Sequence, residues 1–501
     1  MSSRPHIVAI DCGTQSVRCL IVDAETGEHR VGATERIILS SAGPDVIEVD
    51  PVHLADATVR VLRATLAMSE EPPIAIAITN MRETAIAWNR ATGKPVHDGI
   101  MWMSNQSQNI VNRWDDAGLA PMIRDRTGLS NHTFFFGSKI AWLFDKHPDL
   151  LRQAQNGEIA IGTVESWLLY VLSGDVEHAT DLSNASRYQL LNLSTLSWDD
   201  GLAEALGIPL AALPELKPTS AHFGVTCARI TGITVPITGM IGDQQASLLG
   251  HGAVNVGDAK ATFGTSCVVG VNLGTSPSLA PGLVTSIAWA DAPGEAVYEM
   301  EGSAFHSGFT MTWLTRILSL PAAEQQRVER STLSAERRVT VVPAFTGMGA
   351  PTWLSGSGAT ISGLTMDTEP ADILRAGIES MAFQAFDLIS AVPVAAAGSD
   401  LSLSVDGGAA SNDYLCQLLA DLSGRTIVRP PSRELTGVGA AIAAATTLGI
   451  PLGSQISRTA TATTAAAAGT HASECFMPQS DTSYGREGFA HWKKTVVQHL
   501  S

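Results

Sequence analysis

The chain of 501 residues is poor in cysteine, with six (Cys12, Cys19, Cys227, Cys267, Cys416 and Cys475), and none of them forms a C-x-x-C pair. That sparseness argues against a disulfide framework or a thiolate zinc site and predicts a reducing compartment, the cytoplasm. No run of 18 apolar residues occurs, so no membrane-spanning helix is expected. The polar segment Met1–His6 has no apolar core of its own, and no secretory signal is expected. Basic residues are outnumbered, 32 Lys+Arg against 49 Asp+Glu, for a net charge of −17. This excess disfavours nucleic acid or an anionic membrane held by bulk charge. A small anion remains open, because backbone N–H groups in a turn can hold phosphate against an unfavourable global field. Two nucleotide signatures are also missing: neither G-x-G-x-x-G nor G-x-x-x-x-G-K-[ST] marks a dinucleotide fold or a P-loop.

The 45% hydrophobic content is that of a globular protein and excludes disorder as the main state. The length suggests roughly two to four domains. Apolar runs at Ile7–Ile10 and Cys19–Val22 read as strands around Asp11-Cys12-Gly13-Thr14, with a third strand across His29–Ile38. Leu54, Val59, Leu62 and Leu66 recur at helical spacing over residues 52–68. Ile74–Ile78 is another buried strand, ending at Thr79-Asn80-Met81-Arg82-Glu83. Helices are expected at Ile140–Asp145 and Val164–Leu172. Strand and helix alternate, which is the α/β pattern.

Near the midpoint, Val235–Asp243 is a strand ending in an acid, followed by a helix over Gln244–His251. A strand at Ala259–Phe263 then breaks at Gly264-Thr265-Ser266 and resumes over Cys267–Asn272. This repeats the strand, Gly-Thr turn and strand of the N-terminus about half a chain later, and implies an internal duplication. The Ala/Thr-rich stretch Thr459–Thr470 reads as a surface connection without chemistry.

Three turns carry candidate chemistry. Asp11–Ser16 offers backbone N–H groups and Thr and Ser hydroxyls for phosphate oxygens, and an acid able to hold a hydrated Mg²⁺. Taken alone it is equally an ordinary hairpin. Gly264-Thr265-Ser266 is a second phosphate turn by the same reasoning. Val405–Asn412 is a strand, a Gly-rich turn and a helix, where small residues let a ribose or a flat ring approach the backbone.

Together the turns match the two-lobed actin-like ATPase (ribonuclease H-like) architecture, with duplicated α/β domains and an interlobe cleft. The chain resembles the FGGY carbohydrate kinases, and within them is most similar to the glycerol kinase branch. The blocks that carry the resemblance are Ile10–Thr14 with Arg18, Thr79–Thr84, Thr180–Arg187, Gly242–Ala246, Phe263–Thr265, Val342–Pro351, and Asp406–Ala409 with Asn412.

The resemblance implies an ATP- and Mg²⁺-dependent enzyme that phosphorylates a hydroxyl of a small polyol or sugar, with two lobes spanning residues 1–247 and 248–501. Asp243 corresponds to the general base. Arg82, Glu83, Trp102, Asp243 and Gln244 correspond to the substrate contacts. Thr14, Ser16, Arg18, Thr265, Gly308, Gly408 and Asn412 correspond to the nucleotide site, and Asp11 with Asp243 to the metal site. A homodimer or homotetramer is within the family's range. The chain departs from the branch at Trp102-Met103-Ser104-Asn105-Gln106, at Phe134 where a pocket tyrosine is usual, at Val268 where a phenylalanine is usual, and along Trp353–Gly358. These changes cluster near the substrate. They leave open glycerol itself, a larger polyol or ketose (erythritol, a pentitol, xylulose or an autoinducer-2-type sugar), and a nucleotide-binding homologue without turnover.

Overall fold

The computed structural model describes residues 4–43, 45–330, 339–354, 358–393, 401–453 and 473–500. The Thr459–Thr470 stretch and Ser355–Ser357 lie outside the described residues.

Two twisted sheets organise the chain. The first has six strands: β1 (His6–Cys12), β2 (Ser16–Asp23), β3 (His29–Arg36), β4 (Ala75–Asn80), β5 (Ser220–Val225) and β6 (Pro236–Gly242). Their order is β5-β6-β4-β1-β2-β3. The hairpin β1–β2 is antiparallel, β4 runs parallel to β1, and β6 runs parallel to β4. Every residue of β1 and of β4 is buried. That is why these strands read as continuous apolar runs rather than alternating ones: both faces of the sheet are covered.

The second sheet has seven strands: β7 (Ala259–Phe263), β8 (Cys267–Gly274), β9 (Val284–Ala292), β10 (Glu295–Ala304), β11 (Ser402–Asp406), β12 (Thr426–Arg429) and β13 (Glu474–Phe476). Their order is β9-β10-β8-β7-β11-β12-β13. Again a hairpin, β7–β8, is followed by two strands added in parallel, β11 beside β7 and β12 beside β11. Each sheet therefore carries an antiparallel hairpin on one side and parallel strands on the other. The duplication expected from the two Gly-Thr turns is present in the topology.

The helices follow their end signals. Helix α1 (Pro51–Leu66) starts where the Asp50 carboxylate accepts from the backbone N–H groups of Val52 and His53, with Pro51 in its first turn. It buries Leu54, Val61 and Leu62. Helix α2 (Val164–Leu172) is buried on nearly all sides. The helix expected at Ile140–Asp145 begins earlier, at Phe136, so Phe134 and Phe135 form its approach.

Helix α3 (Asp243–Gly250) leaves the end of β6. Helix α4 (Asp413–Ser423) follows the Gly-rich turn after β11. Helix α5 (Leu435–Thr447), from the second half of the sequence, packs on α3 and on the strands β6, β4 and β1 of the first sheet. Backbones meet at that crossing. A Cβ on Gly439 would stand 1.8 Å from the carbonyl oxygen of Ala246, a distance no side chain tolerates. The two halves are thus stitched by α3 and α5, with Ile241, Ala246, Val438 and Ala441 in one shared core cluster. Above this seam the ends of β1, β4, β6, β7 and β11 converge, and the cleft opens there.

Candidate active site

Two cavities share one wall in that cleft. The smaller, about 360 Å³, is lined by Asp11, Gly13, Thr14, Ser16, Arg18, Asp243, Gln244, Lys260 and Asp406, among others. The larger, about 510 Å³, is lined by Arg82, Glu83, Trp102, Phe134, Arg187, Thr265, Val268, Glu301 and Trp353, among others. Thr14, Asp243 and Gln244 border both.

The smaller cavity is built on the β1–β2 turn. Antiparallel register sets Asp11 opposite Arg18. The Arg18 Nε donates to Asp11 Oδ2 at 2.8 Å, and its terminal nitrogen lies 2.7 Å from the same oxygen. A second terminal nitrogen of Arg18 stands 3.0 Å from Glu434, at the start of α5. Arg18 is therefore occupied by two acids. Burial pushes the Asp11 carboxyl up despite the Arg18 charge. The turn itself closes through Gly13 N–H donating to Ser16 O at 3.0 Å.

Asp243 occupies the first position of α3, where the positive end of the helix favours an anion. Its Oδ1 accepts from the Gln244 backbone N–H at 2.7 Å. The Nε of Arg82 stands 3.4 Å from the same oxygen. Burial raises the Asp243 carboxyl to about 6, against the lowering effect of Arg82 and with Glu83 and Asp11 adding to the rise. A carboxylate with a proton affinity near neutrality is suited to accepting a proton from an alcohol.

The larger cavity rests on a lattice of buried charges. Arg82 and Glu83 follow β4 and form an ion pair at 3.8 Å, and each has a nearer partner elsewhere. Arg82 pairs with Glu301 at 2.8 Å, and Glu83 accepts from Arg187 Nε at 2.5 Å. Arg187 also reaches Glu301 at 3.2 Å. Glu83 has φ of 60°, in the left-handed region. Burial pushes the neighbouring Glu299 carboxyl up, with the Glu301 charge adding to the rise. Together Arg82, Arg187, Glu83, Glu299 and Glu301 tie the first sheet to β10 of the second.

Trp102 joins the two cavities. Its indole N–H donates to the Thr14 hydroxyl at 3.0 Å, and its ring meets Phe134 edge-on at 5.5 Å between centroids. Phe134 and Phe135 in turn lie beside the Arg187 guanidinium, 5.9 and 5.2 Å from the ring centroids.

The remaining expected residues sit around the second hairpin. Thr265 lines the larger cavity, not the smaller. Gly308 lies directly behind that turn: its N–H donates to Gly264 O at 2.9 Å, and a Cβ there would be 2.4 Å from that oxygen. Gly408 opens a short helical turn with nothing within 4 Å of where a Cβ would stand. Asn412 caps α4, its side-chain oxygen accepting from Leu415 N–H at 2.9 Å. Gly308, Gly408 and Asn412 line neither cavity, but they follow from the Thr265 and Asp406 ends of them.

Residues 6–250 match the model of the N-terminal domain of the FGGY family of carbohydrate kinases, and residues 259–448 match its C-terminal domain. The chain belongs to the FGGY carbohydrate kinases. It is a phosphotransferase whose acceptor is an alcohol group. Among curated relatives it is 36% identical over 496 residues to a glycerol kinase of Geobacter sp. (strain M21), covering 98% of both chains. It is 38% identical over 512 residues to a glycerol kinase of Paracidovorax citrulli, covering 98% of this chain and 99% of that one. The structure of Plasmodium falciparum glycerol kinase with ADP superposes with a TM-score of 0.90 at 26% identity, over 99% of each chain. A xylulose kinase from Lactobacillus acidophilus shares the fold, with a TM-score of 0.83 at 20% identity over 99% of this chain and 97% of that one. The actin-like, two-sheet FGGY architecture is thus the one this chain adopts. Among the described residues no helix is long and apolar enough to cross a membrane.

Lys260, Glu299, Glu301 and Arg187 received no role from the sequence. The available signal was a charged residue inside an otherwise buried strand: Lys260 in Ala-Lys-Ala-Thr-Phe, and Glu299 and Glu301 at alternate positions of β10. A buried charge requires a partner or a ligand.

Proposed function

We propose that this FGGY kinase transfers the γ-phosphoryl group of ATP to a terminal hydroxyl of a small polyol, as the glycerol kinases among its relatives do to glycerol. The observation that carries this reading is the position of Asp243 on the border of both cavities. A nucleotide phosphate chain in the smaller cavity and an alcohol in the larger one would meet at that carboxylate.

The sequence of events follows from the side chains. Arg82 and Glu83 hold neighbouring hydroxyls, with Trp102 against the carbon skeleton and Gln244 as a further polar contact. Asp243 accepts the proton of the attacking hydroxyl as its oxygen bonds to the γ-phosphorus and the bond to the β-phosphate bridging oxygen breaks. The rest of the catalysis is positioning and charge neutralisation. Thr14, Ser16, Thr265, Gly308 and Gly408 present hydroxyls and backbone around the phosphates and ribose, with Asn412 near the base.

The residues fit a Mg²⁺ ion of the type that travels with ATP. Asp11 and Asp243 offer hard oxygen ligands, and Mg²⁺ is held by one or two carboxylates plus phosphates and water rather than by a protein cage. The ion would neutralise phosphate charge.

Phe134 and Val268 line the larger cavity and neither offers a hydroxyl there, which supports a larger polyol or ketose as the second reading. ADP release over a panel of glycerol, erythritol, ribitol, xylitol, ribulose and xylulose tests both readings. The expected result is release with at least one member; silence across the panel would remove the kinase reading.

A further inference from the structure

The cavity assigned to the phosphates has a charge problem. Asp11, Asp243 and Asp406 all border it, and ATP brings more negative charge. Arg18, the cation expected there, is already held by Asp11 at 2.7 Å and Glu434 at 3.0 Å. The remaining cation in the lining is Lys260.

Lys260 is 3% exposed, on β7 of the second sheet. Its ammonium makes one hydrogen bond among the described residues, donating to Gln244 Oε1 at 3.2 Å. An ammonium has three N–H donors. With one donor on Gln244, the ammonium has two more to offer in the cavity it lines, where oxygens of an anionic ligand can accept from them. The charge is felt across the cavity floor. Burial would push the Asp406 carboxyl up, but Lys260 and His251 outweigh it and hold it below its ordinary range. His251 is no substitute cation. Its Nδ1 faces the Ser247 carbonyl at 2.7 Å, and burial lowers the ring's affinity for a second proton to about 4.

We propose that Lys260 binds the terminal phosphoryl group of ATP and stabilises its charge during transfer, a catalytic role reached from the second lobe. This rests on the kinase reading and deepens it. Lys260 is tethered to Gln244, which stands next to Asp243 on α3 and borders the larger cavity. The tether spans the cleft from β7 to α3. When phosphate oxygens occupy the smaller cavity, the two free donors engage them while the third holds Gln244 against the substrate side. Lys260 gives up no proton. The alcohol proton goes to Asp243, the new P–O bond forms at the alcohol oxygen, and ADP departs with the electron pair of the broken bond.

The test compares nucleotides that differ in phosphate number. Affinities of ATP and AMP, both with magnesium chloride present, are measured by calorimetry on the wild type and on Lys260→Met, Lys260→Gln and Lys260→Arg. The methionine and glutamine variants are expected to lose about tenfold or more in ATP affinity while AMP is unchanged, the worth of one charge-assisted hydrogen bond. Their kcat with the best panel substrate is expected to fall about 10²–10³-fold, as when one transition-state donor is removed. The arginine variant keeps a larger share of both. Equal losses for ATP and AMP, or a kcat within a few-fold of wild type in the glutamine variant, would overturn the assignment. Glutamine keeps a polar, hydrogen-bonding end without the charge, so a fold defect in the methionine variant leaves the test intact. The binding comparison needs no acceptor and is read separately from the panel: if no polyol is phosphorylated, a selective ATP loss still upholds Lys260 as a phosphate ligand.

Discussion

The Nε of Arg82 stands 3.4 Å from Asp243 Oδ1, at the point where the two cavities meet. The arginine thus both lines the larger cavity and touches the carboxylate that borders the two. Its other nitrogens are drawn to Glu301 at 2.8 Å and to Gln245 at 3.3 Å, so the contact to Asp243 is the longer and weaker one. Burial raises the Asp243 carboxyl to about 6, and Arg82 offsets only part of that rise.

Asp243→Asn is expected to lower kcat about 10²-fold or more while ATP affinity is kept, as for a lost general base. Steady-state turnover alongside calorimetry checks it; near-normal turnover would place the base elsewhere. The wild type is expected to lose kcat/KM on the acid side with a midpoint near pH 6, where Asp243 becomes protonated. The stability effect has the opposite sign. A carboxyl raised from 3.8 to about 6 by folding favours the native state most at low pH, and that contribution is lost as pH rises through 6. Thermal unfolding at pH 8 should therefore show the asparagine variant at or above the wild type.

Removing the guanidinium by Arg82→Ala strikes binding and folding together. Glu301 and Asp243 each lose a cation, and Glu301 is buried. Breaking one side of a buried pair costs about 3–5 kcal/mol. The acceptor KM is expected to rise roughly tenfold or more, the worth of a charged hydrogen bond. Denaturant unfolding and an acceptor titration check the two effects; an unchanged KM would count against the clamp.

Phe134→Tyr adds a hydroxyl to the wall of the larger cavity, next to Trp102. A hydroxyl placed to bond an acceptor oxygen discriminates strongly between substrates. The ratio of kcat/KM for glycerol to that for a five-carbon polyol is expected to rise about tenfold. An unchanged ratio would show that this wall does not set the preference.

Gly439→Ala tests the seam between the halves. The added methyl would overlap the Ala246 carbonyl oxygen at 1.8 Å, so α3 and α5 must separate. Overpacking of this kind costs about 1–3 kcal/mol. A lowered unfolding midpoint is expected, together with a weaker turnover, because α3 begins at Asp243. A stability equal to wild type would mean that the helices part freely.

What the sequence determined by itself is local. The Gly-Thr turns are written in consecutive residues, since a tight hairpin needs small residues at fixed offsets, and both were legible. So were the buried strands β1, β4 and β7, because apolar runs between turn residues admit few other readings. The placement of Asp243 at the end of a strand and the start of a helix follows from the same local signals. Tertiary structure decided the charge pairing. Arg82 and Glu83 are neighbours in the chain, yet the nearest acid to Arg82 is Glu301 and the nearest cation to Glu83 is Arg187, because the fold brings β10 and Arg187 against the end of β4. The tertiary fold also set Lys260 beside Gln244 across the cleft and laid α5 from the second half upon the first sheet. Coulomb attraction and close packing act on distance in space, and distance in space between remote segments is fixed only when the sheets have closed on each other.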